Sequence, residues 1–160
     1  MITLKKQWKT LLISILIPLA VGGLSGYVTK DAAAQFQSMV QPPLAPPAWL
    51  FPVVWTILFI LMGIASFLVW KAPHATPEAK AAALRIYGIQ LAVNFFWSIL
   101  FFNFGLYFAA FGWLLLLWGL ILITFLRFRE ISPAAGLLLL PYLLWVTFAG
   151  YLNLAIALLN

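Results

Sequence analysis

Long apolar runs alternate with short polar connections along this chain. An apolar run of roughly 17–25 residues can cross a bilayer as a helix, and five such runs lie at 10–28, 50–70, 84–102, 107–126 and 134–159. The runs are continuous and do not alternate in short segments, which favours helices over a membrane β-barrel. The pattern predicts an all-α membrane protein, a single domain over residues 1–160 with five transmembrane helices in one bundle.

Two of the spans should be antiparallel neighbours, because only residues 103–106 separate the third from the fourth. The first span follows three lysines and resembles a secretory signal peptide at its start. Its apolar run continues to Val28, which is longer than a typical signal core and favours a retained span. Gly22 and Gly26 have the spacing of small residues in membrane helix contacts, a weak indication of a dimer.

The charges are few, and their positions orient the spans. Only 8% of residues are charged against 66% hydrophobic, with a net charge of +6. Five spans place one group of basic residues on the N-terminal side: Lys5, Lys6, Lys9, Lys71, Lys80, Arg85, Arg127 and Arg129. Lys30 alone lies on the other side. Because cytoplasmic loops carry the Lys/Arg excess, we expect a multi-pass protein of the cell membrane with a cytoplasmic N-terminus and an outside C-terminus. This distribution sets topology and does not favour a nucleic-acid partner.

Side chains for conventional catalysis are scarce. The chain has no cysteine, one histidine and three acidic residues, which leaves almost nothing for a metal site or a carboxylate pair. His74 lies in a connection, as do Asp31, Glu78 and Glu130, so no proton relay within the membrane is visible. We expect no metal and no cofactor, and any reaction would have to use a bound ligand with indole or phenol side chains.

The connection at 30–49 is stiff. After a helix-compatible stretch at 32–40 it contains Pro42, Pro43, Pro46 and Pro47, which exclude a continuous helix and fix most φ angles. A stiff loop suits a lid that loses little entropy when a ligand binds. The same pattern would arise if the prolines only ended helices at the membrane interface, with Trp49 as an anchor. The sequence does not distinguish these two interpretations.

Three spans carry a stripe of aromatic, amide and small side chains at helical spacing. The stripes comprise Trp55, Phe59, Met62 and Ser66; Gln90, Asn94, Trp97 and Phe101; and Tyr142, Trp145, Ala149 and Asn153. Amides are costly against lipid tails, so these should face the bundle interior. Such stripes could line a pocket for a flat, mostly apolar ligand or could simply pack the helices together.

The same residues make the chain similar to the translocator protein family, also called tryptophan-rich sensory protein or peripheral benzodiazepine receptor (TspO/MBR). The resemblance covers nearly the whole chain in blocks of matching order and spacing. These blocks include Pro46-Pro47 with Phe51-Pro52 and Trp55, Met62-Gly63 with Ser66, Gln90 with Asn94 and Trp97, and Pro141-Tyr142 with Trp145, Phe148-Ala149 and Asn153.

The resemblance implies a five-helix bundle, commonly a homodimer, with a pocket that the first loop covers. It implies ligands such as protoporphyrin IX and haem-like tetrapyrroles, other flat aromatic molecules and, in some members, sterols. The pocket residues implied by position are Phe36, Pro46, Trp55, Phe59, Asn94, Trp97, Tyr142, Trp145 and Ala149. Trp55 and Trp145 match tryptophans that the family associates with photo-oxidative porphyrin breakdown, which makes them the candidate catalytic residues.

This chain departs from the family pattern at three points. It has Gln35-Phe36 where members usually place a tryptophan–tyrosine pair, and Pro43-Leu44 where many members have a tryptophan between the two proline blocks. No basic residue follows Tyr151, so sterol binding by the C-terminal motif is not supported. The sequence predicts a membrane receptor or sensor for porphyrins and leaves open whether they are carried or degraded. The alternatives are a membrane scaffold or interaction protein, and a transporter of small apolar ligands.

Overall fold

The structure is a computed structural model that describes residues 4–160, so the first three residues of the predicted single domain lie outside the described part. Its helices are α1 (Leu4–Val28), α2 (Ala32–Ser38), α3 (Leu50–Lys71), α4 (Pro77–Ser98), α5 (Tyr107–Ile131) and α6 (Pro133–Leu159). A π-helical turn, Ile99–Asn103, continues α4. All of these helices except the short α2 contain an apolar stretch long enough to cross a membrane, which makes five. The prediction of an all-α protein with five membrane helices is therefore confirmed.

Several helices extend beyond the apolar runs because their caps lie in the polar connections. The α4 helix begins at Pro77, before the predicted start of the third span, and the Thr76 hydroxyl accepts a hydrogen bond from the Ala79 amide (3.1 Å). Ser132 likewise caps α6 by accepting from the Ala135 amide (3.3 Å). A proline in the first turn and a hydroxyl before it start a helix efficiently, whatever the hydropathy of the residues that follow.

The five long helices neighbour one another in the order α1, α3, α6, α5 and α4, and a smaller contact between α4 and α1 closes the bundle. The predicted antiparallel pairing of α4 and α5 is confirmed. The turn between these two helices contains Gly105 at φ +62°, a left-handed conformation that glycine adopts without a steric penalty. The orientation of the termini across the membrane stays a prediction.

The polar side chains within the spans face inward, as predicted. Gln90, Asn94 and Asn153 are all buried in the bundle, which removes their amides from the lipid. At Gly63, α1 and α3 come so close that an added Cβ would lie 2.5 Å from the Ile15 Cα. The bundle therefore depends on small residues at some helix contacts as well as on buried aromatic side chains.

Candidate functional site

A cavity of about 520 Å³ lies at the end of the bundle where α1 ends and α3 begins. Its walls come from α1, α3, α4 with the π-helical turn, and α6, and none of its lining residues belongs to α5. The loop between α1 and α3, including Phe36 on α2, covers it from outside. Its volume lies within the range of about 300–1,000 Å³ that is usual for small-molecule sites.

The loop is fastened to the rest of the bundle at three points. The Asn160 side chain accepts from the Val40 amide and donates to the Val40 carbonyl, both at 3.1 Å. The Tyr151 hydroxyl donates to the Pro43 carbonyl at 2.7 Å. On the inner side the Phe36 ring meets the Phe51 ring edge-on, with centroids 5.0 Å apart. This attachment above a cavity favours the lid interpretation of the proline segment over a simple helix-ending role.

Aromatic rings form much of the cavity wall. Trp55 and Phe59 lie on α3 with ring centroids 5.6 Å apart. Trp97 stacks on Phe101 at 5.3 Å, and Trp145 contacts the edge of Phe51 at 5.9 Å. The rings come from three spanning helices and the π-helical turn, so the cavity offers several flat apolar faces to a ligand.

Two hydrogen-bond chains hold the polar groups next to these rings. The Trp97 indole N–H donates to Asn153 Oδ1 (3.0 Å), and Asn153 Nδ2 donates to the Tyr107 carbonyl (2.8 Å). Asn94 Nδ2 donates to the Tyr142 hydroxyl, which in turn donates to Gln90 Oε1, each at 2.7 Å. These networks fix the side-chain positions before any ligand binds.

Two polar atoms near the cavity keep free hydrogen-bonding capacity. Asn94 Oδ1 accepts no hydrogen bond from any described residue, although its amide nitrogen is used. The Trp145 indole N–H is buried and has no acceptor among the described residues. Trp145 also borders a shallow apolar groove on the outer surface between α3 and α6, so it separates that groove from the cavity. A buried donor or acceptor without a partner costs free energy. A ligand that supplies the missing partner removes this cost and therefore binds more tightly.

Most of the residues implied by the resemblance meet at this cavity. The seven that line it are Phe36, Trp55, Phe59, Asn94, Trp97, Trp145 and Ala149. Pro46 and Tyr142 are not among the residues that line the cavity, and their part in ligand binding stays a prediction. Pro46 lies half-buried in the loop, and Tyr142 is 1% exposed with its hydroxyl directed at α4. Tyr142 instead positions Asn94, which does reach the cavity.

The α1 wall was not predicted from the sequence. It consists mainly of small residues, including Gly22, Gly26 and Ser25, and Ser25 shares a hydrogen bond with Ser98 on α4 (2.6 Å between the hydroxyl oxygens). Gly22 packs directly on the Phe59 ring. Gly22 and Gly26 therefore give room to the cavity and its aromatic wall. The homodimer itself stays a prediction.

The chain is similar to known proteins over almost its whole length. The sequence profile of the TspO/MBR family matches residues 14–159. The chain is 42% identical over 158 residues to the tryptophan-rich protein TspO of Chlorobaculum tepidum, which covers 98% of this chain and 99% of that one. It is 35% identical to protein CrtK of Rhodobacter capsulatus, covering 94% and 93%, and 34% identical to the human translocator protein, covering 81% and 76%.

Proposed function

Because the chain belongs to the TspO/MBR family, we propose that it is a membrane receptor or sensor that binds porphyrins such as protoporphyrin IX. The site is the cavity beneath the loop 30–49. Family membership supports the receptor or sensor role, and the cavity supports the choice of ligand.

The observation that carries this proposal is the combination of an aromatic wall with a covering loop. A porphyrin is a flat, largely apolar macrocycle, and it gains most from burial between rings that already hold fixed positions. Trp55, Trp97 and Trp145 supply such rings from α3, α4 and α6. The hydrogen bond from Trp97 to Asn153 holds one of them in place without the ligand.

The free oxygen of Asn94 gives the apolar cavity a point of polar recognition. Asn94 Oδ1 has no donor among the described residues. This oxygen can accept a hydrogen bond from a water molecule or from a donor on the edge of a bound ligand while the faces of the ligand pack on the indoles. One or two polar contacts in an apolar pocket commonly fix orientation in this way.

The test is a titration of protoporphyrin IX into the purified protein in detergent, followed by quenching of tryptophan fluorescence. We expect saturable quenching at low micromolar concentrations and at least an about tenfold weaker affinity, equivalent to 1.4 kcal/mol, in the double variant Trp145→Ala/Asn94→Ala. Trp8→Ala is the matched control, because Trp8 is exposed on α1 and does not line the cavity. Unchanged affinity in the double variant would count against this site.

The same preparation separates the other functions. A scaffold whose aromatic residues only pack would show no saturable binding. Porphyrin degradation would appear as a protein-dependent loss of porphyrin absorbance under light, slower in Trp55→Phe/Trp145→Phe. A transporter of small apolar ligands would move porphyrin across the membrane of proteoliposomes, whereas a receptor would only retain it.

A further inference from the structure

One charged side chain lies at the edge of the cavity. Lys30 follows the end of α1 and is the only charged side chain among the described residues that line the cavity. Its side chain is exposed, and its ammonium lies 5.9 Å from the centroid of the Tyr27 ring. No carboxylate within the described residues 4–160 pairs with it; the ion pair found there, Arg127 with Glu130, involves other residues.

The surroundings of Lys30 leave its charge available to a ligand. The other basic residues are assigned by the predicted topology to the opposite side of the membrane, so Lys30 is the one positive side chain on the side of the cavity mouth. Asp31 is adjacent in sequence, but it is exposed and is not a lining residue. The cavity thus has an apolar aromatic interior and a single cation at its entrance.

We propose that the cavity selects ligands that combine a flat apolar body with a carboxylate at one edge, and that the Lys30 ammonium binds this carboxylate at the mouth. This inference rests on the proposed function, since it assigns an end-on orientation to the porphyrin in the same site. The propionate groups of protoporphyrin IX lie on one edge of the macrocycle. The ring enters among the indoles while this charged edge stays at the membrane surface, where water and Lys30 solvate it.

The orientation follows from the cost of burying charge. A carboxylate placed deep in the cavity would lose its hydration without a cation to replace it, since the remaining lining residues carry no charge. At the mouth the carboxylate keeps part of its hydration and gains the lysine. Because Lys30 is exposed, its contribution should be small, about two- to fivefold in Kd, as for other surface ion pairs.

The experiment compares protoporphyrin IX with its dimethyl ester, which keeps the macrocycle and removes both negative charges. Binding of each is measured to the full-length protein and to Lys30→Gln, in nanodiscs of zwitterionic lipid. We expect the ratio of acid to ester affinity to fall about two- to fivefold in Lys30→Gln, and to recover in Lys30→Arg. High salt should reduce the ratio in the unsubstituted protein. Lys71→Gln is the control, because Lys71 is exposed and does not line the cavity.

Comparing ratios cancels the different partitioning of the two porphyrins into lipid. An unchanged ratio in Lys30→Gln, with both porphyrins still bound, would overturn the role of Lys30 and leave the proposed function intact. An equal loss of acid and ester affinity would also overturn it, because it would make Lys30 a structural residue or a lipid-headgroup anchor. Absence of binding by both porphyrins to the unsubstituted protein would overturn the proposed function and this inference together.

Discussion

Gly63 lies where the backbone of α1 packs closely against α3, and its replacement by alanine tests how the first helix is held. An added Cβ would lie 2.5 Å from the Ile15 Cα and 2.6 Å from the Ser14 carbonyl oxygen. Non-bonded carbon atoms prefer about 3.5–4.0 Å, so the two helices would have to separate by about 1 Å. Both neighbours are backbone atoms, and a side-chain rotation cannot relieve the contact.

The cost of Gly63→Ala can be isolated with a matched glycine. Gly119 lies inside α5, and an added Cβ there would meet no atom within 4 Å. The gain of about 1 kcal/mol in helix propensity from glycine to alanine applies to both variants, so it cancels in their difference. Overpacking costs about 1–3 kcal/mol, and this corresponds to about 2–12 °C in Tm for a chain of this size.

Thermal unfolding in one detergent, followed by circular dichroism, measures this difference. We expect Gly63→Ala to melt about 2–12 °C below Gly119→Ala, with Gly119→Ala at or slightly above the unsubstituted protein. Equal melting temperatures for the two variants would refute the close contact of α1 with α3.

Three further substitutions test the networks around the cavity. Tyr142→Phe removes the hydroxyl between Asn94 and Gln90. It should lower the free energy of unfolding by about 1–3 kcal/mol, because two membrane-buried hydrogen bonds are lost at about 0.6–1.7 kcal/mol each. Porphyrin affinity should fall less than in Asn94→Ala, and a larger fall would mean that Tyr142 itself contacts the ligand. Tyr151→Phe removes the hydrogen bond that holds the loop at Pro43. Porphyrin release, measured by stopped flow, should be about two- to tenfold faster, because the net free energy of one hydrogen bond corresponds to a rate change of this size. An unchanged release rate would show that this bond does not restrain the lid. Gly22→Ala should push the Phe59 ring towards the cavity and so weaken porphyrin binding in the fluorescence titration; affinity equal to that of Gly119→Ala would contradict this.

The helices and the inward placement of their amide side chains could be predicted because the bilayer restricts the alternatives. A backbone that crosses lipid must be helical over about 20 residues, and this requirement is visible in the hydropathy pattern. Amide side chains must avoid lipid, so Asn94 and Asn153 could be assigned to the interior from their type alone. The stripes then identified the faces of α3, α4 and α6 that meet at the cavity.

Other features depend on contacts that spacing along one helix does not contain. Tyr142 and Trp145 share a stripe, yet the Tyr142 hydroxyl bonds to α4 and Trp145 lines the cavity. The cavity lies along the C-terminal part of α6, from Trp145 to Ile156, so Tyr142 lies deeper in the bundle. The α1 wall is built from glycine and serine, which carry no aromatic or amide signal. The attachment of the loop joins Val40 to Asn160 across 120 residues of sequence, a distance that no local pattern spans. By contrast, Thr76 and Pro77 form a recognisable helix start that could have moved the predicted start of the third span from residue 84 to residue 77.

The central claim, that a porphyrin occupies the cavity beneath the loop, is tested most directly by filling that cavity. Ala149 is half-buried in its wall, whereas Ala109 is exposed on α5 away from it. At 100 times its Kd a ligand adds about 2.7 kcal/mol to stability, or about 5–11 °C in Tm. We predict this shift for the unsubstituted protein and for Ala109→Phe with protoporphyrin IX, and its loss in Ala149→Phe. The same shift in Ala149→Phe would contradict the account, because the porphyrin would then bind elsewhere.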